Sequence, residues 1–181
     1  KKMEGSILLK AYKTVNGSAI TAGSDYDAKF SFELADSAGL VLQTKSNAAN
    51  VVDFDLITYN EPGVHTYKIT EKTVTGMPDI TIDTTEFTIT VTVTQDQTDP
   101  SKLTAEVTNA EKTTAAGTET ITYADGVGVT FNNIEAKKGD LEVSKTVVSD
   151  LAADADQYFG FTVTLDDTTI TGTYGDMSFE D

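Results

Sequence analysis

The sequence predicts an all-β fold, a mainly antiparallel β-sandwich, on three observations. Apolar and polar residues alternate with a period of two in many short segments, which is typical of half-buried strands. No stretch of a dozen residues has apolar side chains at helical spacing. Turn-forming Gly, Pro, Asn and Asp residues separate the alternating segments at short intervals, as they do in sandwiches.

Each predicted strand follows from the apolar residues that fall on one of its faces. In residues 87–94, one Phe and three β-branched residues share a face while four Thr occupy the other, so Thr supplies the solvated side. In residues 7–15 the shared face holds Ile7, Leu9, Ala11 and Val15. By the same criterion the strands in chain order are 7–15, 28–34, 40–43, 51–59, 64–73, 87–94, 103–107, 128–134, 141–147 and 158–165.

An internal similarity divides the chain into two predicted domains, residues 1–136 and 139–181. Residues 141–147 resemble residues 9–15, and a turn and a Phe-x-Phe strand follow each of them. The second segment is too short to close a sandwich by itself. We therefore expect an incomplete second β-sandwich, with the chain truncated or with further strands supplied by another segment.

Composition excludes several functional classes. The chain of 181 residues has 13 basic residues, all Lys, against 29 acidic ones, a net charge of −16 that argues against nucleic-acid binding. It has no Cys, hence no disulfide, Cys-ligated zinc site or thiol nucleophile, and its single His argues against His-based catalysis. No apolar run approaches the ~20 residues of a membrane span. We expect no cofactor and no metal.

The acidic clusters at residues 96–99 and 150–156 are the only segments that suggest a cation. Their carboxylates could bind Ca²⁺, which takes several oxygen ligands. Neither cluster has the spacing of an EF-hand loop. Solvated loops are therefore the favoured interpretation.

Three polar residues break the predicted pattern by lying on inward faces. Lys13 shares a face with Ala11 and Val15, Glu71 lies two residues beyond Ile69, and Asn133 lies two residues beyond Phe131. Taken singly, each has an ordinary explanation: a Lys that extends to water, a solvated Glu at a strand end, and an Asn in a turn. Because burying a bare charge is costly, three complementary groups on separate strands suggest a shared site.

Amide exchange is the chemistry that such a site could perform. Desolvation lowers the pKa of a Lys and raises that of a Glu, so the amine becomes a nucleophile and the carboxyl an acid. The protonated carboxyl would hydrogen-bond the Asn side-chain carbonyl and polarise it. Attack on the amide carbon would release ammonia and leave a Lys–Asn isopeptide bond, inside aromatic walls such as Phe30, Phe32, Phe54 and Phe131.

The order of motifs resembles the isopeptide-linkage domain of Gram-positive backbone pilins of the streptococcal type. The resemblance covers roughly residues 5–136, and its strongest parts are Gly-x-x-x-Tyr-x-Ile-x-Glu at 63–71 and Phe-x-Asn at 131–133. Residues 139–181 resemble the start of a collagen-adhesin B-type domain, an immunoglobulin-like β-sandwich. The family resemblance implies Lys13 as nucleophile, Glu71 as catalytic acid and base, and Asn133 as acceptor. Lys145 lies between Val143 and Val147 on an inward face of the second segment, which suggests a second-domain isopeptide lysine, but residues 139–181 offer no matching Glu and Asn partners.

The resemblance also implies a function and a location. We expect a structural module of a surface pilus or adhesin stalk, extracellular, on the cell wall or pilus of a Gram-positive bacterium. Its partners would be neighbouring pilin or stalk domains and host matrix or glycan ligands, with no nucleic acid and no membrane. Such a module crosslinks itself once and is not a turnover enzyme. The alternatives are a host-ligand-binding adhesin domain of the same fold and an accessory module of a larger secreted enzyme.

Overall fold

The computed structural model describes residues 2–124 and 126–136, together with residues 144, 146, 148–151, 160 and 162. The chain divides into two units, Lys1–Lys138 and Gly139–Asp181. Lys145 and most of the predicted strands 141–147 and 158–165 lie outside the described residues. The second domain therefore stays a prediction.

The prediction of an all-β fold is confirmed, because the described residues form strands and no helix. Accordingly, none of them forms a helix that could cross a bilayer. The strands are β1 (Gly5–Ile7), β2 (Lys10–Val15), β3 (Ser18–Ala19), β4 (Ser31–Asp36), β5 (Val41–Ser46), β6 (Val51–Asp53), β7 (Ile57–Tyr59), β8 (Gly63–Glu71), β9 (Ile80–Thr81), β10 (Glu86–Gln95), β11 (Leu103–Thr114), β12 (Gly117–Thr120) and β13 (Thr130–Glu135).

Two main sheets build the sandwich. The larger is antiparallel throughout and has the strand order β12-β11-β10-β8-β4-β5. The smaller has the order β3-β2-β13-β9, with β6 also paired to β2. Within the smaller sheet β2 and β13 run parallel, with Lys13 opposite Phe131. The first long strand and the last strand of the unit are therefore direct neighbours.

The core lies between these sheets and is filled by alternate residues of their strands. In β10 the burial alternates strictly over Phe87, Ile89, Val91 and Val93, while the intervening Thr residues are half-buried. The ring of Phe131 in β13 lies 4.9 Å from that of Phe87 and 5.2 Å from that of Phe32, measured between centroids. These contacts join the two sheets across the core.

Two predicted strands are each broken in the structure. The segment 7–15 is interrupted between β1 and β2, and the segment 51–59 between β6 and β7. The cause is a change of partner, because β1 pairs with β7 whereas β2 pairs with β6. Strict alternation over 51–59 predicts Leu56 on the same inward face as Val52 and Phe54, and this prediction is wrong: Leu56 lies in the interruption and is 53% exposed.

Three short strands escaped prediction, and the predicted strand 28–34 begins only at Ser31. The missed strands β3, β9 and β12 have two to four residues each, too few to show a period of two. β3 is the second strand of a hairpin whose turn, Asn16-Gly17, has φ values of 50° and 76°. Two consecutive left-handed residues are what a tight hairpin turn requires, and Asn-Gly favours this conformation.

Candidate functional site

Lys13, Glu71 and Asn133 come together in the core from three strands. Lys13 lies on β2, Glu71 ends β8 in the opposite sheet, and Asn133 lies on β13 beside Lys13. Lys13 and Asn133 are 0% exposed and Glu71 is 8% exposed. Each follows buried apolar residues of its own strand at a spacing of two, so strand alternation alone turns it inward.

The ammonium group of Lys13 lies between a carboxylate, a carbonyl and a ring. Its Nζ lies 3.3 Å from Oε2 of Glu71 and donates a hydrogen bond of 3.3 Å to the carbonyl oxygen of Phe131. It also lies 4.8 Å from the centroid of the Phe30 ring. Burial lowers the pKa of Lys13 to about 8, although the nearby Glu71 opposes the shift. A neutral amine is therefore accessible near neutral pH.

Glu71 lies between the amine and the amide. Its Oε1 accepts a hydrogen bond of 2.7 Å from Nδ2 of Asn133. Its Oε2 faces Lys13 and accepts no well-aligned hydrogen bond from the described residues. Burial raises the pKa of Glu71, and the charge of Lys13 and the bond from Asn133 only partly oppose this. The carboxyl group is thus placed to exchange protons with both nitrogen atoms.

The amide of Asn133 is held at both ends. Its Oδ1 accepts a hydrogen bond of 2.8 Å from the backbone N–H of Asp83, and its Nδ2 donates to Glu71. The chemistry inferred from the sequence predicts that Glu71 binds the amide carbonyl, and this prediction is wrong: Glu71 binds the NH₂ group. The carbonyl instead faces the turn before β10, because that turn packs against β13.

The neighbouring Asn132 points away from this cluster. Its Oδ1 accepts hydrogen bonds of 2.8 Å from both Oγ1 of Thr14 and the backbone N–H of Gly17, so it anchors the β2–β3 turn to β13. Two adjacent residues of a strand face opposite sides. Asn133, and not the adjacent Asn132, therefore hydrogen-bonds Glu71.

Aromatic rings separate the cluster from solvent. Phe30 covers Lys13, and the rings of Phe32 and Phe87 pack on Phe131, two residues before Asn133. All four of these rings are at most 1% exposed. Phe54, which was also predicted to line the site, is 2% exposed and belongs to the same hydrophobic core. A dry environment strengthens the interactions among the charged and polar atoms.

Sequence reasoning missed Asp83, which contacts the site through its backbone. The available signal was local: an Asp followed by two Thr just before a strand is typical of a turn closed by the Asp side chain. The structure has such a turn, with Oδ1 of Asp83 accepting a 2.9 Å hydrogen bond from the N–H of Thr85. Its proximity to Asn133 depends on tertiary packing.

The other candidate sites have a simpler structural role or lie outside the described residues. Asp96 uses its carboxylate to accept hydrogen bonds from the N–H groups of Thr98 and Asp99 within its own loop. In the part of the chain that the structure describes, no group of three or more acidic or His side chains is arranged to hold a metal ion. Lys145 and residues 152–156 are not among the described residues.

Comparison with known proteins identifies a family. Residues 9–136 match the family described as Spy0128-like isopeptide containing domain. A curated relative, a pilin of Streptococcus pyogenes serotype M1, is 27% identical over 113 residues, which are 62% of this chain and 29% of the pilin.

Solved pilin structures are also similar. The major pilin from S. pyogenes aligns with a TM-score of 0.40 and 16% identity, over 71% of this chain and 50% of that chain. The T-13 major pilin of S. pyogenes aligns with a TM-score of 0.35 and 13% identity, over 75% and 54%. This chain therefore spans about half the length of the solved pilins and less than a third of the curated one.

Proposed function

Because the chain belongs to the family of Spy0128-like isopeptide containing domains, as its motifs suggested, we propose that it is a structural module of a Gram-positive surface pilus, stabilised by an amide bond that Lys13 and Asn133 form with each other. One observation carries the proposal: Lys13 and Asn133 are fully buried on adjacent strands, and both contact the buried carboxylate of Glu71, Lys13 at 3.3 Å and Asn133 at 2.7 Å. A buried charged pair is a weak source of stability, so stability alone does not explain it.

The reaction begins with a proton transfer inside the cluster. Glu71 takes a proton from the ammonium of Lys13, since burial favours the neutral forms of both groups. The amine of Lys13 then adds to the side-chain carbonyl carbon of Asn133. Glu71 passes protons from the attacking nitrogen to the amide nitrogen, to which it is hydrogen-bonded at 2.7 Å. The C–N bond of the amide breaks, ammonia leaves, and the new amide links the two strands.

The fold provides the rate enhancement by positioning. Lys13 and Asn133 lie on adjacent parallel strands, and the pairing of β2 with β13 holds their backbones in register. The nucleophile and the acceptor therefore meet without a loss of translational freedom during the reaction. The bond forms once per molecule because its formation consumes both side chains, so the module is not a turnover enzyme.

The proposed bond would protect the module against tension along a pilus. Tension that enters through β2 would pass directly to β13 at Lys13 and Asn133 and would not load the residues between them. The partners would be neighbouring pilin subunits or domains, at the surface of a Gram-positive cell. The family assignment and the pilin similarity support this location.

Intact-mass spectrometry tests the proposal. We expect the wild-type chain to be lighter than its sequence by one ammonia, because the bond releases ammonia. The variants Lys13→Ala, Glu71→Ala and Asn133→Ala should each have the full mass. Peptide mapping should recover a branched peptide that joins Lys13 to Asn133.

The neighbouring amide supplies a matched control. Asn132→Ala removes an identical side chain that faces the β2–β3 turn, so this variant should still lose ammonia. A folded wild-type chain of full mass would overturn the proposal. A branched peptide that contained Asn132 as the linked residue would reject the assignment of Asn133.

A further inference from the structure

We propose that the turn formed by residues 82–85 is an oxyanion site for the amide-forming reaction, and that the side chain of Asp83 positions it. The inference rests on the proposed function, since it concerns the same reacting groups. It assigns two distinct roles to one residue. The backbone N–H of Asp83 binds the reacting oxygen, and the carboxylate of Asp83 holds that N–H in place.

The first observation is the direction of the N–H group. The backbone nitrogen of Asp83 lies 2.8 Å from Oδ1 of Asn133 and donates a hydrogen bond to it. Oδ1 is the atom on which negative charge develops when an amine adds to the amide carbon. A backbone donor already aimed at that atom needs no reorganisation during the reaction, and such donors are strong contributors to acyl transfer. In this arrangement Glu71 is not the polarising donor, because it binds the NH₂ group.

The second observation is how the Asp83 carboxylate is used. Its Oδ1 accepts a hydrogen bond of 2.9 Å from the N–H of Thr85, which closes the turn. Its Oδ2 accepts one of 2.8 Å from the N–H of Asn132, the residue before the acceptor. One side chain therefore fixes the turn and attaches it to β13. This holds the Asp83 N–H at a fixed distance and orientation relative to the Asn133 carbonyl.

The step balances without any additional reactant. As the Nζ of Lys13 bonds to the carbon, the C=O electron pair moves onto Oδ1, where the N–H of Asp83 stabilises the charge. Glu71 transfers a proton from Nζ to Nδ2, the C–N bond breaks, ammonia leaves and the C=O bond returns. Asp83 gains and loses no atoms in this step.

The effect of the Asp83 charge differs from that of positioning. The Asp83 carboxylate raises the pKa values of both Lys13 and Glu71. If its charge were all that mattered, Asp83→Asn would move the pH optimum to lower pH without slowing the reaction at that optimum. If positioning matters, the same substitution slows it, because an amide offers only one acceptor oxygen for two backbone donors.

The experiment follows ammonia loss in newly made full-length chains. Pulsed cell-free synthesis followed by timed quenching and intact-mass measurement gives the rate for the wild type, Asp83→Asn and Asp83→Ala. A fourth chain carries the α-hydroxy analogue of aspartate at position 83, which replaces only the backbone N–H with an ester oxygen. We expect this ester to slow the reaction by roughly 10²- to 10³-fold. Asp83→Ala should be slower than Asp83→Asn, and Asp83→Asn slower than the wild type.

Two controls distinguish positioning from a loss of fold. Asp96→Asn changes another carboxylate that accepts two backbone N–H bonds in a turn, away from the site, and should react at the wild-type rate. Each Asp83 substitution is also combined with Glu71→Ala, which should prevent the crosslink. Thermal unfolding of these unlinked chains then measures how much the Asp83 substitution destabilises the fold.

The outcomes are separable. If the wild type loses ammonia and the ester and both Asp83 variants do so equally fast, the inference is wrong and the proposed function stands. An accelerated Asp83→Asn chain also overturns the positioning role. If the wild type itself never loses ammonia, both the inference and the proposed function fail.

Discussion

At the scale of single residues, the dominant effect is the exclusion of water from two groups of opposite charge. Burial lowers the pKa of Lys13 and raises that of Glu71, so both shifts favour the neutral pair. In water the same two groups would stay charged and unreactive. For the proposed reaction, the buried environment would therefore supply a nucleophile and an acid that are separated by one proton transfer.

The pH dependence expected for the proposed bond formation follows from the number of protons on this pair. The reactive state has one proton on the Lys13–Glu71 pair, located on the carboxyl. Above about pH 8 the pair loses that proton, so no acid remains for the leaving nitrogen. In acid, below the raised pKa of Glu71, the pair gains a second proton and the amine becomes an ammonium. We expect a bell-shaped rate profile.

The profile can be measured on unlinked chain recovered from inclusion bodies in denaturant and refolded into buffers of different pH. Intact mass gives the extent of reaction at each time. The chain has no Trp and 7 Tyr, so tyrosine fluorescence reports refolding separately. A rate that stays constant from about pH 5 to pH 10, with complete refolding, would contradict the requirement for one proton on the Lys13–Glu71 pair.

At the scale of elements, the strand β13 contributes to the core, to the candidate site and to the pairing of the smaller sheet. Its inward residues are Phe131, which contacts rings from the opposite sheet, and Asn133, which faces Glu71. Its outward Asn132 holds the β2–β3 turn. Its backbone pairs with β2 in parallel and with β9 in antiparallel orientation. The strand therefore combines the core, the site and the sheet in six residues.

Truncation of Phe131 tests how far the core depends on this strand. Phe131→Ala removes a fully buried ring and should destabilise the fold by about 3–5 kcal/mol. The control Thr130→Ala changes the exposed neighbour on the same strand and should stay within about 0.5 kcal/mol. Both are compared with Glu71→Ala as the unlinked parent chain, by equilibrium urea unfolding. Equal decreases in the free energy of unfolding for the two substitutions would mean that the packing of Phe131 does not stabilise the core.

At the scale of the whole unit, the parallel pairing of β2 with β13 decides what a crosslink does. Tension applied to the two ends of the unit pulls these adjacent parallel strands in opposite directions. Without a covalent link, only hydrogen bonds and side-chain packing resist that shear. A bond between Lys13 and Asn133 would replace them with an amide bond that reducing agents do not break.

Thermodynamic stability should reflect the closed loop. A link from Lys13 to Asn133 encloses roughly 120 residues and, by analogy with disulfides, should add on the order of 4–5 kcal/mol. We expect wild-type unfolding to need more denaturant than that of Lys13→Ala, Glu71→Ala or Asn133→Ala, with or without reductant. Using all three variants separates the shared loss of the bond from the separate cost of each buried substitution. Wild-type stability no greater than that of the three variants would contradict the crosslink.

The sequence by itself determined the class of the fold and the side of each strand that faces the core. A period of two is a local property, so alternation alone directed Lys13, Glu71 and Asn133 inward and Asn132 outward. The absence of Cys excluded a disulfide bond and a thiol nucleophile in the same direct way. The resemblance to pilin domains rested on the order of the same motifs.

Only the tertiary structure decided which strands are neighbours and which atoms meet. The parallel pairing of β2 with β13 and the interruption of the segment 51–59 at Leu56 depend on residues far apart in sequence. The same holds for the position of Glu71 on the NH₂ side of Asn133 and of the Asp83 N–H on its carbonyl side. Strand pairing and loop packing are non-local: alternation specifies a face, but the partner across that face is selected by how the whole core packs.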